Sequence, residues 1–103
     1  MANPEIQDNT EAKRFEAYVD GHLAGFAEYM IANALIIFTH TEVDPAYEGQ
    51  GIGSALVRTA LDAVRDEGSR QVMPLCPFVK AWIQRHPDYH SLVFAPKPSA
   101  VKD

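Results

Sequence analysis

The first half of the chain alternates apolar and polar residues, and this pattern predicts strands. Residues 14–19 alternate in this way, as a half-buried strand does. Asp20-Gly21 is a strong hairpin signal, so a second strand is expected over 22–30, with a candidate bulge at Gly25. Residues 1–12 are polar and lack periodicity, so we interpret them as a flexible leader.

After residue 30 the spacing of apolar residues along the chain changes. The run Leu35-Ile36-Ile37-Phe38 is apolar at every position, which predicts a strand that is covered on both faces. From Ile52 onwards the apolar residues follow a helical stripe. Gly68 is a natural end for that helix.

The last third of the chain predicts a strand, a helix and a short final strand. Residues 71–75 resume a strand pattern, and Pro74 among them favours an edge position or a break in pairing. A proline then opens a helix over 77–86, and 91–94 are expected to add a last strand. We interpret residues 95–103 as a flexible tail.

Strand, glycine-rich turn, helix and strand together form a crossover unit. Its two strands are expected to be parallel, with both carboxyl ends at one edge of the sheet. Ligands of open α/β sheets bind at that edge. Glu42-Val43 and Leu75-Cys76 should therefore be neighbours in space. The predicted fold class is α/β, with a single domain over 13–94.

Composition and charge exclude several classes of function. A chain of 103 residues with 47% hydrophobic residues is typical of one globular domain. Its net charge of −5 argues against general binding to nucleic acid or anionic membranes, because both need a basic face. No apolar run approaches the ~18 residues of a membrane span, and the N-terminus lacks a signal pattern, so a cytoplasmic protein is expected. A lone cysteine and four scattered histidines predict neither an internal disulfide nor a metal site.

Residues 49–54, Gly-Gln-Gly-Ile-Gly-Ser, carry the clearest chemical signal. Glycine lets the backbone approach a ligand closely and take conformations that a Cβ forbids. The helix that starts behind these glycines presents unpaired N–H groups at the positive end of its dipole, which suits a phosphate or diphosphate. The alternative is a tight strand-to-helix turn that binds nothing.

The motif over 49–56, behind a strand that ends in Glu42-Val43, resembles the glycine loop of the GNAT superfamily of acetyl-CoA-dependent N-acetyltransferases. In that superfamily an Arg/Gln-x-x-Gly-x-Gly/Ala loop holds the diphosphate of coenzyme A. Two glycines of this chain match, whereas Glu48 stands at the Arg/Gln position. The resemblance implies a cofactor site formed by Val43, Gly49, Gln50, Gly51, Ile52, Gly53 and Ser54.

A narrower resemblance covers roughly residues 14–93. Five blocks in order are similar to a family of short, single-domain GNAT-like proteins: Arg14-Phe15-Glu16, Gly25-Phe26-Ala27-Glu28-Tyr29, His40-Thr41-Glu42-Val43, Leu75-Cys76-Pro77-Phe78-Val79 and His86-Pro87-Asp88-Tyr89. The resemblance implies a mixed sheet of about five strands with two main helices, lacking the N-terminal acceptor-side helices. It also implies acetyl-CoA as cofactor, acetyl transfer to an amine, and Cys76 as a candidate nucleophile.

Two routes of transfer are open. In direct transfer a bound amine attacks, and His40 or Glu42 removes its proton; period-2 alternation puts these two side chains on one face of their strand. In the covalent route Cys76 attacks first, since its place at a helix start favours the thiolate. Tyr89 or His90 is the candidate proton donor to the leaving group.

Two other functions are compatible with the sequence. A degenerate GNAT fold could hold acetyl-CoA or CoA without turnover, as a sensor or an adaptor for another protein. Glu48 and the missing acceptor-side helices favour this alternative. The second is a structural domain whose glycine turn binds nothing. The acceptor, whether a small amine or a protein terminus, and the oligomeric state are not specified by the sequence.

Overall fold

The computed structural model describes residues 3–95 and contains one mixed sheet in the order β1-β2-β3-β4-β5. Strands β1 to β4 pair antiparallel, and β5 runs parallel to β4. This arrangement confirms the predicted α/β class and the mixed sheet. The strands are β1 (Glu5–Asn9), β2 (Arg14–Val19), β3 (His22–Ala32), β4 (Leu35–Val43) and β5 (Gln71–Pro74), and the helices are α1 (Ile52–Glu67) and α2 (Pro77–Gln84), with short 3-10 helices at Pro45–Tyr47 and Pro87–Leu92.

The β2–β3 hairpin follows its sequence signal. Asp20 and Gly21 form the turn with φ angles of 49° and 80°, the left-handed values that a tight hairpin turn requires. The register of the two strands shifts at Ala24, so the bulge lies next to the predicted position, Gly25. A Cβ at Gly25 would lie 2.7 Å from the carbonyl oxygen of Glu42, and glycine therefore allows β3 to approach β4 closely.

Strand β1 corrects the prediction of a flexible leader over residues 1–12. It pairs with β2 along its whole length, and its Asp8 accepts a 2.7 Å hydrogen bond from the Tyr29 hydroxyl. Its one apolar residue, Ile6, packs against the core. Backbone pairing and polar contacts hold this edge strand, which explains why it lacks an alternating apolar pattern. The folded domain thus begins at β1 rather than at residue 13.

The predicted strand over 91–94 is also wrong. Residues Pro87–Leu92 form a 3-10 helix, and Val93 makes only an isolated parallel bridge to Val72. Helix α2 ends at Gln84, two residues before the predicted end. Of the predicted tail, residues 96–103 lie outside the described part of the chain.

Both helices pack on the same face of the sheet, so the expected two-sided coverage of β4 is wrong. Ile36 and Phe38 are buried in one cluster with residues of α1 and α2, whereas Leu35 and Ile37, on the opposite face, are only half-buried. Between residues 3 and 95 no helix has the length and apolar composition to cross a membrane. The largest fully buried side chains are Trp82, Phe38, Ile52, Leu56, Leu61, Val57, Val72 and Val79.

Strands β4 and β5 separate at their carboxyl ends. Their pairing stops at Phe38, whose carbonyl oxygen accepts hydrogen bonds from the N–H groups of both Leu75 and Cys76 as the chain turns into α2. Strand β4 continues to Val43, with β3 as its partner over this stretch. A cleft therefore opens between the end of β4 and the first turns of α1 and α2.

Candidate donor site at the glycine loop

The glycine loop leads into the start of α1, where the first N–H groups lack partners within the helix. Gly49 and Gly51 have φ angles of 80° and 78°, which a residue with a Cβ rarely adopts. The first bond inside the helix joins the Ala55 N–H to the Gly51 carbonyl at 3.0 Å. The N–H groups of Ile52 and Gly53 precede that bond and have no helical partner, so they are available to an anion.

The loop is held at its entrance by a short 3-10 helix. The Asp44 N–H donates to the Ala24 carbonyl at 2.8 Å, which ties the end of β4 to β3. The Asp44 carboxylate accepts a 2.8 Å hydrogen bond from the Ala46 N–H, and the Gln50 N–H donates to the Tyr47 carbonyl at 3.3 Å. These bonds fix the direction in which the chain enters α1.

A cleft of about 390 Å³ lies against this loop. Six of the seven predicted cofactor-binding residues line it, and Gln50, which lies in the turn, does not. The cleft is lined by Val43, Tyr47, Glu48, Gly49, Gly51, Ile52, Gly53, Ser54, Phe78, Trp82, Arg85 and His86.

One face of α2 forms the opposite wall of the cleft, which the sequence interpretation missed. Phe78, Trp82, Arg85 and His86 are spaced at i, i+4, i+7 and i+8, the spacing of one helical face. Phe78 is 40% exposed, and a Cβ at Gly53 would lie 2.7 Å from the tip of its ring. The helical spacing was the available signal, because it groups Phe78 and two polar residues with Trp82.

Trp82 connects α2 to the helix start. Its ring is 1% exposed, and its Nε1–H donates to Ser54 Oγ at 2.9 Å. His86 stacks on the Trp82 ring with centroids 3.7 Å apart and donates its Nδ1–H to the Trp82 carbonyl at 2.7 Å. Since Ser54 Oγ accepts from Trp82, its own O–H remains available as a donor at the cleft.

Cys76 lies at the N-cap of α2, as predicted, but below the surface. It is 3% exposed, and its S–H group donates a hydrogen bond to Thr41 Oγ1 at 3.4 Å. Its backbone carbonyl accepts the Lys80 N–H at 3.0 Å, the first bond of the helix. Cys76 therefore joins β4 to the start of α2 through Phe38 and Thr41, whereas the crossover topology led us to expect Glu42-Val43 as its neighbour.

His40 and Glu42 lie together, as the alternation predicted, but away from Cys76. His40 Nε2 and Glu42 Oε2 are 2.9 Å apart, and both side chains are more than half exposed. Thr41 lies between them in the strand and contacts Cys76, so the two sets occupy opposite faces of β4. In the described part of the chain, no group of three or more His, Cys, Asp or Glu side chains is placed to hold a metal ion.

Tyr89 is built into the packing of α1 rather than into the cleft lining. Its hydroxyl donates to Asp62 at 2.6 Å and accepts from Arg58 at 3.4 Å, while Arg65 lies over its ring at 4.4 Å. The hydrogen bond to Asp62, followed by burial, raises the pKa of Tyr89 above its ordinary value. His90 Nε2 lies 3.0 Å from the Ile83 carbonyl, which also fixes that ring against α2.

A second cavity, of about 250 Å³, contains none of the predicted site residues. It lies between the end of α1 and β1, with Arg70 and Lys13 at its rim and Tyr29 among its lining residues. Burial and the bond to Asp8 raise the pKa of Tyr29 above its ordinary value. Six of the predicted cofactor-binding residues line the cleft at the glycine loop instead.

The chain is similar to known proteins in both sequence and fold. A family model described as GCN5-related N-acetyl-transferase matches residues 14–92. Streptothricin acetyltransferase of Streptomyces lavendulae is 37% identical over 65 residues, which are 60% of this chain and 34% of the relative. The match thus spans about a third of that relative's length.

Solved structures show the same fold. A GCN5-like candidate N-acetyltransferase from Staphylococcus aureus, solved in solution by NMR, matches with a TM-score of 0.68 and 20% identity over 97% of both chains. A GNAT family acetyltransferase from Brucella melitensis, crystallised in complex with acetyl-CoA, matches with a TM-score of 0.54 and 26% identity. That match covers 64% of this chain and 48% of the other.

Proposed function

This chain belongs to the GCN5-related N-acetyltransferase family, and we propose that it binds acetyl-CoA at the glycine loop and transfers the acetyl group to an amine. One observation carries the proposal: the first residues of α1, whose N–H groups precede the first helical bond, line an open cleft beside the carboxyl end of β4. The relative crystallised with acetyl-CoA supports the same ligand here.

The residues present fit the diphosphate of coenzyme A. No atom lies within 4 Å of the place where a Cβ of Gly51 would stand, so a ligand can approach the backbone there, and Gly53 lines the cleft beside the Phe78 ring. The Ser54 O–H adds a side-chain donor that the buried Trp82 Nε1–H orients. Val43, at the other end of the cleft, offers backbone from a strand that has separated from β5. When bound, acetyl-CoA supplies an acetyl group activated as a thioester.

The positions of the candidate catalytic residues favour different roles for the two faces of β4. On the uncovered face, the His40–Glu42 pair can take a proton from an attacking amine, with Glu42 holding the imidazole in place. On the covered face, Cys76 could accept the acetyl group on Sγ as the CoA thiolate leaves, after which the amine displaces Sγ. Its burial means that this covalent route needs a local opening. Tyr89 has less support as the proton donor, because its hydroxyl already bonds to Asp62.

The amine acceptor is proposed to approach the uncovered face of the sheet. No helix among the described elements packs there, and a cavity beside it is lined by Glu42 and Asp44, together with apolar residues of β3. Such an open approach admits a small amine or a peptide terminus. The relative from S. lavendulae is named for acetylation of streptothricin. A cytoplasmic location stays a prediction from the sequence.

A non-catalytic CoA-binding module is the second candidate. Two observations favour it: Glu48 places a negative charge at the cleft that has to receive phosphates, and the sulfur of Cys76 is buried. In that case the protein would bind acetyl-CoA without acetylating an amine.

Incubation with acetyl-CoA and a panel of amines separates these candidates. The panel contains spermidine, lysine and a peptide with an N-terminal alanine, and mass spectrometry measures acetylated amine and free CoA. We expect equal amounts of both products with at least one acceptor, and loss of most of the rate in His40→Ala. Binding of acetyl-CoA without any acetylated amine would contradict the transferase proposal and favour the module.

Cys76 is tested in the same experiment. Cys76→Ala should retain the rate if transfer is direct, because the His40–Glu42 pair is untouched. If transfer is covalent, the intact wild-type protein should gain the mass of one acetyl group when no amine is present, and Cys76→Ala should lose both the adduct and the activity.

A further inference from the structure

The cleft at the glycine loop, where the acetyl donor is proposed to bind, is called the donor cleft below. The charged residues that line it suggest a role for the end of α2 in binding the ligand. The cleft contains one carboxylate, Glu48, and one guanidinium, Arg85. A diphosphate brings further negative charge to the same space, which Glu48 disfavours. Backbone N–H groups offer partial charges only, so a full positive charge in the cleft would offset Glu48 more strongly.

Arg85 is placed to supply that charge. It follows the last residue of α2, and its N–H donates to the carbonyl groups of Ala81 and Trp82 at 3.2 and 3.1 Å, which fixes its backbone. The residue is exposed, and none of the ion pairs within 4.0 Å among the described residues involves its guanidinium. The neighbouring His86 is held by the Trp82 ring and carbonyl, so this wall of the cleft is rigid.

The remaining arginines are engaged or distant from the cleft. Arg14 pairs with Glu16 at 2.6 Å, and Arg58 and Arg65 lie over the Tyr89 ring. Arg70 lines the cavity between α1 and β1. Arg85 is therefore the guanidinium that the fold brings to the donor cleft.

We propose that Arg85 determines the specificity of the donor site for a phosphorylated ligand: its guanidinium binds a phosphate group of CoA and offsets Glu48. The inference rests on the proposed donor site. A guanidinium can donate two parallel hydrogen bonds to a phosphate.

The test measures dissociation constants by isothermal titration calorimetry for CoA, 3′-dephospho-CoA and pantetheine. We expect Arg85→Gln to weaken CoA binding about tenfold or more and to leave the affinity for pantetheine, which lacks the diphosphate, unchanged. Glu48→Gln should strengthen CoA binding several-fold. Lys80→Gln is the matched control, since it removes the same charge from an exposed position of α2 that does not line the cleft.

Each outcome decides the proposal. If Arg85→Gln loses its effect with 3′-dephospho-CoA, the guanidinium binds the 3′-phosphate; if the effect persists, it binds the diphosphate. Equal CoA affinities of Arg85→Gln and Lys80→Gln would overturn the role of Arg85 while the donor site stands. A wild-type protein that binds pantetheine as tightly as CoA, or neither ligand, would overturn the proposed donor site and the role of Arg85 with it.

Discussion

At the scale of single residues, the glycines around α1 have different physical roles. Gly51 takes a left-handed φ of 78° as the N-cap, and Gly68 takes 82° as the C-cap. Gly53 lies inside the first turn, where its missing Cβ makes room for the Phe78 ring. Substitution by alanine therefore tests backbone conformation at Gly68 and the access of a ligand to the helix start at Gly53.

Gly53→Ala is expected to weaken CoA binding about tenfold or more while changing the free energy of unfolding by less than about 1 kcal/mol. Alanine gains helix propensity over glycine, which offsets the contact with Phe78. The methyl group displaces the Phe78 ring into the cleft and covers the N–H groups. Calorimetric titration with CoA and thermal unfolding without ligand measure the two effects.

Gly68→Ala is the control for that variant. It forces a Cβ into the left-handed region, which costs about 1–2 kcal/mol, but it lies at the far end of α1. We expect a lower melting temperature and an unchanged affinity for CoA. Equal affinities of the wild type and Gly53→Ala would mean that the first turn of α1 does not face the ligand.

The residue-level chemistry was predictable where it is local in sequence. The loop at 49–54 can be recognised from the sequence because its glycine spacing and the helix start lie within a few residues of each other. Phe78 and Arg85 were missed because their place in the site depends on how α2 packs across from that loop. His40 and Glu42 were placed together correctly by alternation, whereas their separation from Cys76 depends on which face of the sheet the helices cover.

At the scale of elements, the uncovered face of the sheet is organised by a polar cluster around Glu16. Glu16 is 4% exposed and accepts hydrogen bonds from Arg14 Nε at 2.6 Å, Tyr18 Oη at 2.8 Å and Asn9 Nδ2 at 3.2 Å. Arg14 also lies over the Phe26 ring, 4.5 Å from its centroid. The cluster joins β1, β2 and β3 on the face that the helices of residues 3–95 leave uncovered.

Glu16 should make the stability of the fold depend on pH. Burial alone would raise the pKa of its carboxyl group, but the three hydrogen bonds outweigh burial and hold the pKa below its ordinary value. The stabilising contribution is therefore present above the unfolded pKa of about 4.3 and is lost as the pH falls through the lower, folded pKa.

Urea unfolding over a series of pH values measures this contribution. We expect Glu16→Gln to be less stable than the wild type at pH 7 and to lose less stability on acidification. Glu11→Gln, which removes the same charge from an exposed loop, should follow the wild-type curve. A Glu16→Gln curve parallel to that of the wild type would show that the cluster does not hold the carboxylate charged.

Element prediction succeeded where side chains report burial and failed where backbone pairing decides. The helix from Ile52 to Gly68 and the Asp20-Gly21 hairpin were identified by period and turn chemistry. Strand β1 was missed because Glu5, Gln7 and Asp8 are exposed and carry no period. Residues 91–94 were predicted to form a strand, but the first two of them belong to the 3-10 helix Pro87–Leu92, which packs against α1 and α2.

At the scale of the whole molecule, the helices form one layer on a five-stranded sheet, and the two faces of the sheet therefore differ. The covered face holds the core and directs the starts of α1 and α2 towards one cleft. Within residues 3–95 no helix packs on the other face beside the same strand end, so the proposal brings acetyl donor and amine acceptor to β4 from different sides. The apolar run 35–38 predicted a sheet covered on both faces, because sequence period cannot separate a half-buried residue from a buried one.

The most direct test of the central claim is a titration of ¹⁵N-labelled protein with CoA, followed by backbone amide chemical shifts. The account predicts the largest changes at Gly51, Ile52, Gly53 and Ser54, and none of comparable size at these amides with pantetheine. Changes confined to other parts of the sheet, or an unaltered spectrum at saturating CoA, would contradict a diphosphate site at the start of α1.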